Sequence, residues 1–210
     1  SNNTAMGYNA GTAVTTGTQN TLIGGLAGDA ITTANDNTGV GYQVLTNTTT
    51  GHSNIAMGTN AMNGNTTGNS NTGVGFQALA NNTTASSNTG LGYNAGVNIT
   101  TGANNTAVGK GSLDACTTST NNVAVGNDAG GGVTTGNGEN VFVGNRAGLG
   151  VTTGQQNIII GDNACANGTM TGNLNVFIGD NAGLAVTSGA NNTIIGGSAG
   201  DALTVGNSNT

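Results

Sequence analysis

Few side chains in this sequence could carry out acid–base or metal chemistry. The 210 residues include one histidine, His52, two cysteines, Cys116 and Cys165, eight acids and two bases. Catalysis needs titratable groups that converge on one place, and zinc sites need Cys and His ligands at short characteristic spacings. The run Gly130–Gly132 lacks the following Lys and helix of a phosphate-binding loop. We therefore predict no enzymatic activity, no cofactor and no metal site.

Charge and hydropathy exclude two further classes. The formal net charge is −6, and Lys110 and Arg146 are the only basic residues. Nucleic-acid binding requires several cations to neutralise phosphates, so we expect none. No stretch approaches the ~20 apolar residues of a membrane-spanning helix, and no secretory signal pattern opens the chain.

An asparagine recurs every 17 residues, with two steps of 18, along the whole chain. A β-branched residue always follows it, and an aliphatic residue or Met stands two positions further on. Identical side chains at a fixed period predict a repeat architecture, in which stacked amides would form a ladder. The predicted ladder comprises Asn20, Asn37, Asn54, Asn71, Asn88, Asn105, Asn122, Asn140, Asn157, Asn175 and Asn192.

The residues after each asparagine predict a short strand that ends at a glycine. Apolar residues two apart have the period of a β-strand, and glycine supplies a positive φ at a corner. The predicted corner glycines are Gly7, Gly24, Gly41, Gly58, Gly75, Gly92, Gly109, Gly126, Gly144, Gly161, Gly179 and Gly196.

A second short strand is predicted around segments such as Val14–Thr16 and Val133–Thr135. A strand–corner–strand–corner unit of this size cannot bury a core alone, but it can when stacked in parallel on copies of itself. The predicted fold is therefore all-β: a single-stack parallel β-solenoid of twelve coils, 17–18 residues each, with two strands per coil. Residues 1–210 form one continuous array without caps, and at ~4.8 Å per coil the rod is about 58 Å long.

The residue in the middle of the first strand is apolar or Gly in every coil. With the β-branched residue and the aliphatic residue pointing inward, this middle residue would point outward, where polar residues are usual. An apolar outward row predicts an interface with another chain. The alternative is that both strand faces are buried inside one thicker coil. The candidate interchain residues are Leu22, Phe142, Ile159, Phe177 and Ile194.

A threonine row is predicted on the outer side of the second strand, and the threonine that follows it would point to the opposite face. The row favours strand formation through its χ1 preference; ordered water or O-linked sugar on its hydroxyls is an alternative role. It comprises Thr15, Thr32, Thr49, Thr66, Thr83, Thr100, Thr117, Thr134 and Thr152.

The two cysteines fall three coils apart in this arrangement. Three coils separate them by roughly 14 Å, whereas a disulfide requires Cα atoms within ~7 Å. We predict that Cys116 and Cys165 are small buried residues, with pairing between chains as the alternative. The acids, among them Asp29, Asp114 and Asp162, occupy different places in their coils, so no row of ion-binding carboxylates is expected.

The unit resembles the β-roll repeats of trimeric autotransporter adhesin heads and of virus tail fibres, with their "NTAVGYQALxxNTTGxx" pattern. NTGVGFQAL at 71–79 and NTGLGYNAG at 88–96 carry the first half, and Asn65–Gly68 carries the second. The likeness covers the entire chain, although adhesin heads use a shorter coil. It implies a left-handed parallel β-roll, three chains about one axis, and an extracellular location on a virion or cell surface.

The sequence thus predicts a structural fibre or stalk protein, with an adhesive role as a further expectation. Its expected partner is itself, in a homotrimer or an end-to-end filament, and a surface receptor or glycan is a further candidate. The alternative function is an ice-binding solenoid that uses the outward threonine row.

Overall fold

The computed structural model describes residues 2–136 and 138–210, and these residues form no helix. One sheet of twelve strands, each of three residues, runs the length of the molecule with every strand beside its neighbours in chain order. The strands are β1 (Thr4–Met6), β2 (Thr21–Ile23), β3 (Thr38–Val40), β4 (Ile55–Met57), β5 (Thr72–Val74), β6 (Thr89–Leu91), β7 (Thr106–Val108), β8 (Val123–Val125), β9 (Val141–Val143), β10 (Ile158–Ile160), β11 (Val176–Ile178) and β12 (Thr193–Ile195).

All neighbouring strands pair in parallel and in register. Thr72 lies beside Thr89, and Val74 beside Leu91, so that each residue sits on its equivalent in the next coil. The predicted parallel β-solenoid is therefore confirmed.

The second strand predicted in each coil is not formed. The N–H groups of Thr15, Thr16 and Gly17 all donate to one acceptor, the carbonyl of Thr32, at 3.0, 3.3 and 3.2 Å. Three successive donors that converge on one carbonyl bend the chain, so that no ladder of strand bonds can develop. An isolated parallel bridge between Val151 and Met170 is the nearest approach to a second sheet in the described residues.

Hydrogen bonds between coils nevertheless continue outside the sheet. Leu26 (φ 59°) donates its N–H to the carbonyl of Tyr8 in the preceding coil at 2.8 Å, and Asp36 (φ 60°) donates to that of Thr18 at 3.1 Å. A left-handed residue here turns its N–H along the rod axis, toward the preceding coil. The turns are therefore bonded coil to coil, which offsets the cost of placing non-glycine residues in this conformation.

The middle residue of each strand points into the core, and its two neighbours point out. Leu22, Phe142 and Phe177 are buried within the single chain, as are the other two candidate interchain residues, Ile159 and Ile194. The predicted interchain face is therefore wrong.

The physical reason lies at the asparagine that precedes each strand. Its amide is buried, as at Asn20, and alternation along the strand then sends the next residue out and the second one in. The alternative of two buried strand faces is also wrong, because the flanking residues, such as Thr72 and Val74, reach solvent.

Each layer of the core holds a similar total side-chain volume, because a large residue in the strand is matched by a small residue in the turn and the reverse. Large strand residues face glycine: a Cβ built on Gly183 would lie 3.1 Å from the ring of Phe177. Where the strand residue is Gly, a large turn side chain fills the space instead: a Cβ on Gly73 would lie 2.9 Å from Met62 Cγ. Each layer is thus filled once, as close packing requires.

The two longer coils take up their extra residue outside the strands. In one it lies between Cys165 and Met170, ahead of the threonine segment. In the other it falls beyond Thr135, around residue 137, which lies outside the described residues.

The corner glycines have two reasons to be glycine. All twelve have a positive φ, between 118° at Gly58 and 142° at Gly161, as predicted. The corners also stack closely: a Cβ built on Gly92 would lie 2.7 Å from the carbonyl oxygen of Gly109 in the next coil.

We expect Gly92→Ala to destabilise the fold by about 3 kcal/mol or more, because it adds both a strained φ and a collision with backbone. Thermal unfolding followed by circular dichroism would measure it. Gly197→Ala is the matched control, since a Cβ there meets nothing within 4 Å. Equal melting temperatures for the two variants would contradict this account of the corner.

Candidate functional surfaces

The asparagine ladder is an internal brace. The backbone N–H of Asn71 donates to Asn54 Oδ1 at 2.9 Å, and its Nδ2 donates to the same oxygen at 3.2 Å and across its own coil to the Ala85 carbonyl at 2.8 Å. The backbone bond recurs at each step from Asn20 to Asn209. The eleven predicted ladder residues are all buried. They therefore hold the coils in register and are not accessible to a ligand.

The outer face of the sheet is the first candidate surface. We call it the sheet face: the first and third residues of strands β1–β12. Only Thr, Val, Ile, Leu and Met occupy these positions, and several are well exposed, such as Leu91 at 46% and Ile158 at 40%. A solvent-facing strand normally carries polar residues, so a continuous strip of this kind indicates an interaction site.

The predicted threonine row is at least partly exposed, but its hydroxyls are engaged. Thr66 Oγ1 donates to the carbonyl of Thr83 at 2.9 Å, and Thr83 Oγ1 donates to that of Thr100 at 3.0 Å. Thr152 Oγ1 donates to the carbonyl of Met170, which takes the place of the row threonine in the second of the longer coils. The row therefore links coil to coil.

The threonine after each member of that row is also exposed, contrary to the expectation that it points to the opposite face. The bend that replaces the second strand turns both threonines outward. Their hydroxyls have no hydrogen bond among the described residues. We call this second row the threonine column; it comprises Thr16, Thr33, Thr50, Thr67, Thr84, Thr101, Thr118, Thr135 and Thr153, together with Thr171, which follows Met170 at the equivalent place one coil beyond Thr153.

An aromatic edge lies just past the corner glycines in the first half of the rod. It comprises Tyr8, Tyr42, Phe76 and Tyr93, all exposed. The rings of Phe76 and Tyr93 stack with their centroids 5.3 Å apart and their planes 11° from parallel. This surface is not among the sites predicted from the sequence, although an aromatic residue directly after a corner glycine was a visible signal for it.

The titratable groups do not converge. Cys116 and Cys165 are free and buried, and burial raises the pKa of each thiol to about 12. They are therefore protonated at neutral pH, and their burial argues against pairing between chains. His52 is exposed in its turn.

Two carboxylates approach each other on the surface. Burial raises the pKa of Asp114 and the charge of Asp128 raises it further, while backbone N–H groups of Ala115 and Asp114 oppose the shift. Within residues 2–136 and 138–210, no group of three or more His, Cys, Asp or Glu side chains could hold a metal ion.

No protein-family model matches the chain, and comparisons with curated proteins and with solved structures give no match either. None of the described residues belongs to a helix with the length and hydropathy needed to cross a membrane. The resemblance to adhesin and tail-fibre repeats therefore stays a prediction.

We expect Asn71→Ala to cost about 3 kcal/mol of stability, because it leaves the buried backbone N–H of Asn88 without its acceptor, Asn71 Oδ1, and the carbonyl of Ala85 without a donor. Asn81→Ala is the control. It also removes an amide, whose Nδ2 donates to Asn98 Oδ1 in the next coil at 2.9 Å, but this amide is exposed. That variant should lose less than about 0.5 kcal/mol. Chemical denaturation would measure both, and equal losses would show that burial of the ladder is not what matters.

Proposed function

We propose that this protein is a structural rod in a fibre or stalk on a virion or cell surface, outside the cell, built from several copies that pack through their sheet faces. The observation that carries the proposal is the uncharged, mostly aliphatic strip that follows the rod through all twelve strands. Following the resemblance, we propose three copies around one axis, with no catalytic role. An adhesive role on a surface receptor is part of the same proposal.

The size of the strip supports lateral association. Twelve rungs at ~4.8 Å and three residues at ~3.3 Å give an area of roughly 500 Å² per copy. A pair of copies would bury roughly 1,000 Å², the lower bound for a specific interface.

We expect the protein to sediment as an oligomer, and the double variant Val125→Lys/Ile158→Lys to shift it to monomer. Both side chains lie on the sheet face, and two buried ammonium groups per copy would oppose packing. The control, Thr118→Lys/Thr153→Lys, adds the same charge on the threonine column and should leave the oligomer intact. A monomeric native protein, or equal behaviour of both variants, would refute the proposal.

Ice binding is a second candidate, on a different row from the one predicted. The predicted row has its hydroxyls engaged, whereas the threonine column offers free hydroxyls and methyl groups at coil spacing. This function requires thermal hysteresis in solution, reduced by Thr84→Lys/Thr101→Lys and unchanged by Val125→Lys/Ile158→Lys. Absence of hysteresis in the unaltered protein would eliminate it.

A further inference from the structure

We propose that the aromatic edge is a binding site for an extended, uncharged β-1,4-linked polysaccharide. This activity is separate from assembly through the sheet face, because the rings lie beyond the corner glycines and occupy only the first six coils. The four rings are exposed and have no role in the core.

The spacing of the rings suits a polymer that repeats every second unit. Tyr8, Tyr42 and Phe76 follow one another at intervals of two coils, so their positions are about 9.6 Å apart along the rod. An extended β-1,4-linked chain advances by about one sugar per coil and reverses its face at each sugar. Rings on alternate coils therefore meet equivalent sugar faces, whose C–H groups can pack against the electron-rich faces of aromatic rings.

Three of the four rings are held in place by their neighbours before any ligand binds. Tyr42 leans over Gly25, where a Cβ would lie 3.4 Å from its ring, and Phe76 is stacked on Tyr93. Yet every ring keeps much of its surface in solvent, from 41% at Phe76 to 77% at Tyr8. Ordered rings lose little entropy on binding, which favours affinity.

Polar groups beside the rings suit sugar hydroxyls. An amide follows each ring directly, at Asn9, Gln43, Gln77 and Asn94, and an amide can both donate and accept hydrogen bonds. The first three reach solvent at least in part, whereas the Oδ1 of Asn94 is buried. The tyrosine hydroxyls have no partner among the described residues.

Charge distribution along the edge specifies a neutral ligand. In the first six coils no charged residue occupies the ring position or the position after it, and Lys110 is the first one there. Further along the rod the same positions carry Asp128, Arg146 and Asp162. The edge is therefore apolar, amide-bearing and uncharged only where the rings are.

Tyrosine fluorescence reports on this edge alone. The chain has three tyrosines and no tryptophan, and all three tyrosines belong to the aromatic edge. Titration of the full chain with cellohexaose should give a saturable change in emission. Maltohexaose, whose α-1,4 linkages curl the chain, should bind at least about tenfold more weakly.

Tyr42→Ala/Phe76→Ala removes two rings and keeps Tyr8 and Tyr93 as reporters. Its affinity for cellohexaose should fall about tenfold or more. Leu174→Ala, at an exposed apolar residue on another corner, should bind as the unaltered protein does. If the alanine double variant unfolds by circular dichroism, Tyr42→Leu/Phe76→Leu retains apolar bulk without rings and should show the same loss.

Three results would overturn the polysaccharide site: no emission change with cellohexaose, equal affinity for both sugars, or unaltered binding by a folded ring-less variant. A changed sedimentation coefficient of that variant without sugar would also overturn it, by assigning the rings to assembly. Val125→Lys/Ile158→Lys separates the two proposals, because copies kept apart by that variant should still bind cellohexaose.

Discussion

The whole molecule depends on stacking each coil in register on the next at the spacing of β-strands. Each residue lies on its equivalent in the next coil, so a group that forms a hydrogen bond along the rod axis in one coil can do so in every coil. The buried asparagine amides form the most complete set of such bonds. One amide joins two coils and spans its own coil, so strand, corner and bend keep a common register. A unit with three-residue strands has too little sheet to be stable alone, and repetition supplies the rest.

Inward-pointing asparagines also decide what the rod presents to its surroundings. Once Asn71 points into the core, Gly73 must follow it inward, and Thr72 and Val74 must face outward. The apolar sheet face is thus a geometric consequence of the ladder. The threonine column arises in the same way from the bend, which leaves no inward position for either threonine.

The core tolerates local costs because each layer is shared with its neighbours. Leu45, Met62 and Leu79 adopt left-handed φ values between 51° and 52°, which are unfavourable for non-glycine residues, yet they fill the space above small strand residues. In the latter two coils Asn65 and Asn82 stand where other coils carry aliphatic residues. Both polar atoms of the buried Asn82 amide are without a partner in the described residues, a cost of about 1–3 kcal/mol that the surrounding repeats offset.

The sequence by itself determined the period, the parallel stacking, the amide ladder, the glycine corners and the isolation of Cys116 from Cys165. These follow from residue type at a fixed spacing, because only identical neighbours make every rung equivalent. Tertiary structure alone decided which strand face is buried, and it reversed the predicted roles of residues such as Phe142 and Val143. Alternation along a strand makes neighbouring side chains face opposite ways, but it does not specify which of them faces inward. The asparagine decides this, because its amide bonds a carbonyl on the other side of its own coil. The predicted second strand does not form for a similar reason. Thr15 and Thr16 have strand propensity, but their N–H groups share one carbonyl acceptor in the next coil. The sequence alone does not show that contact.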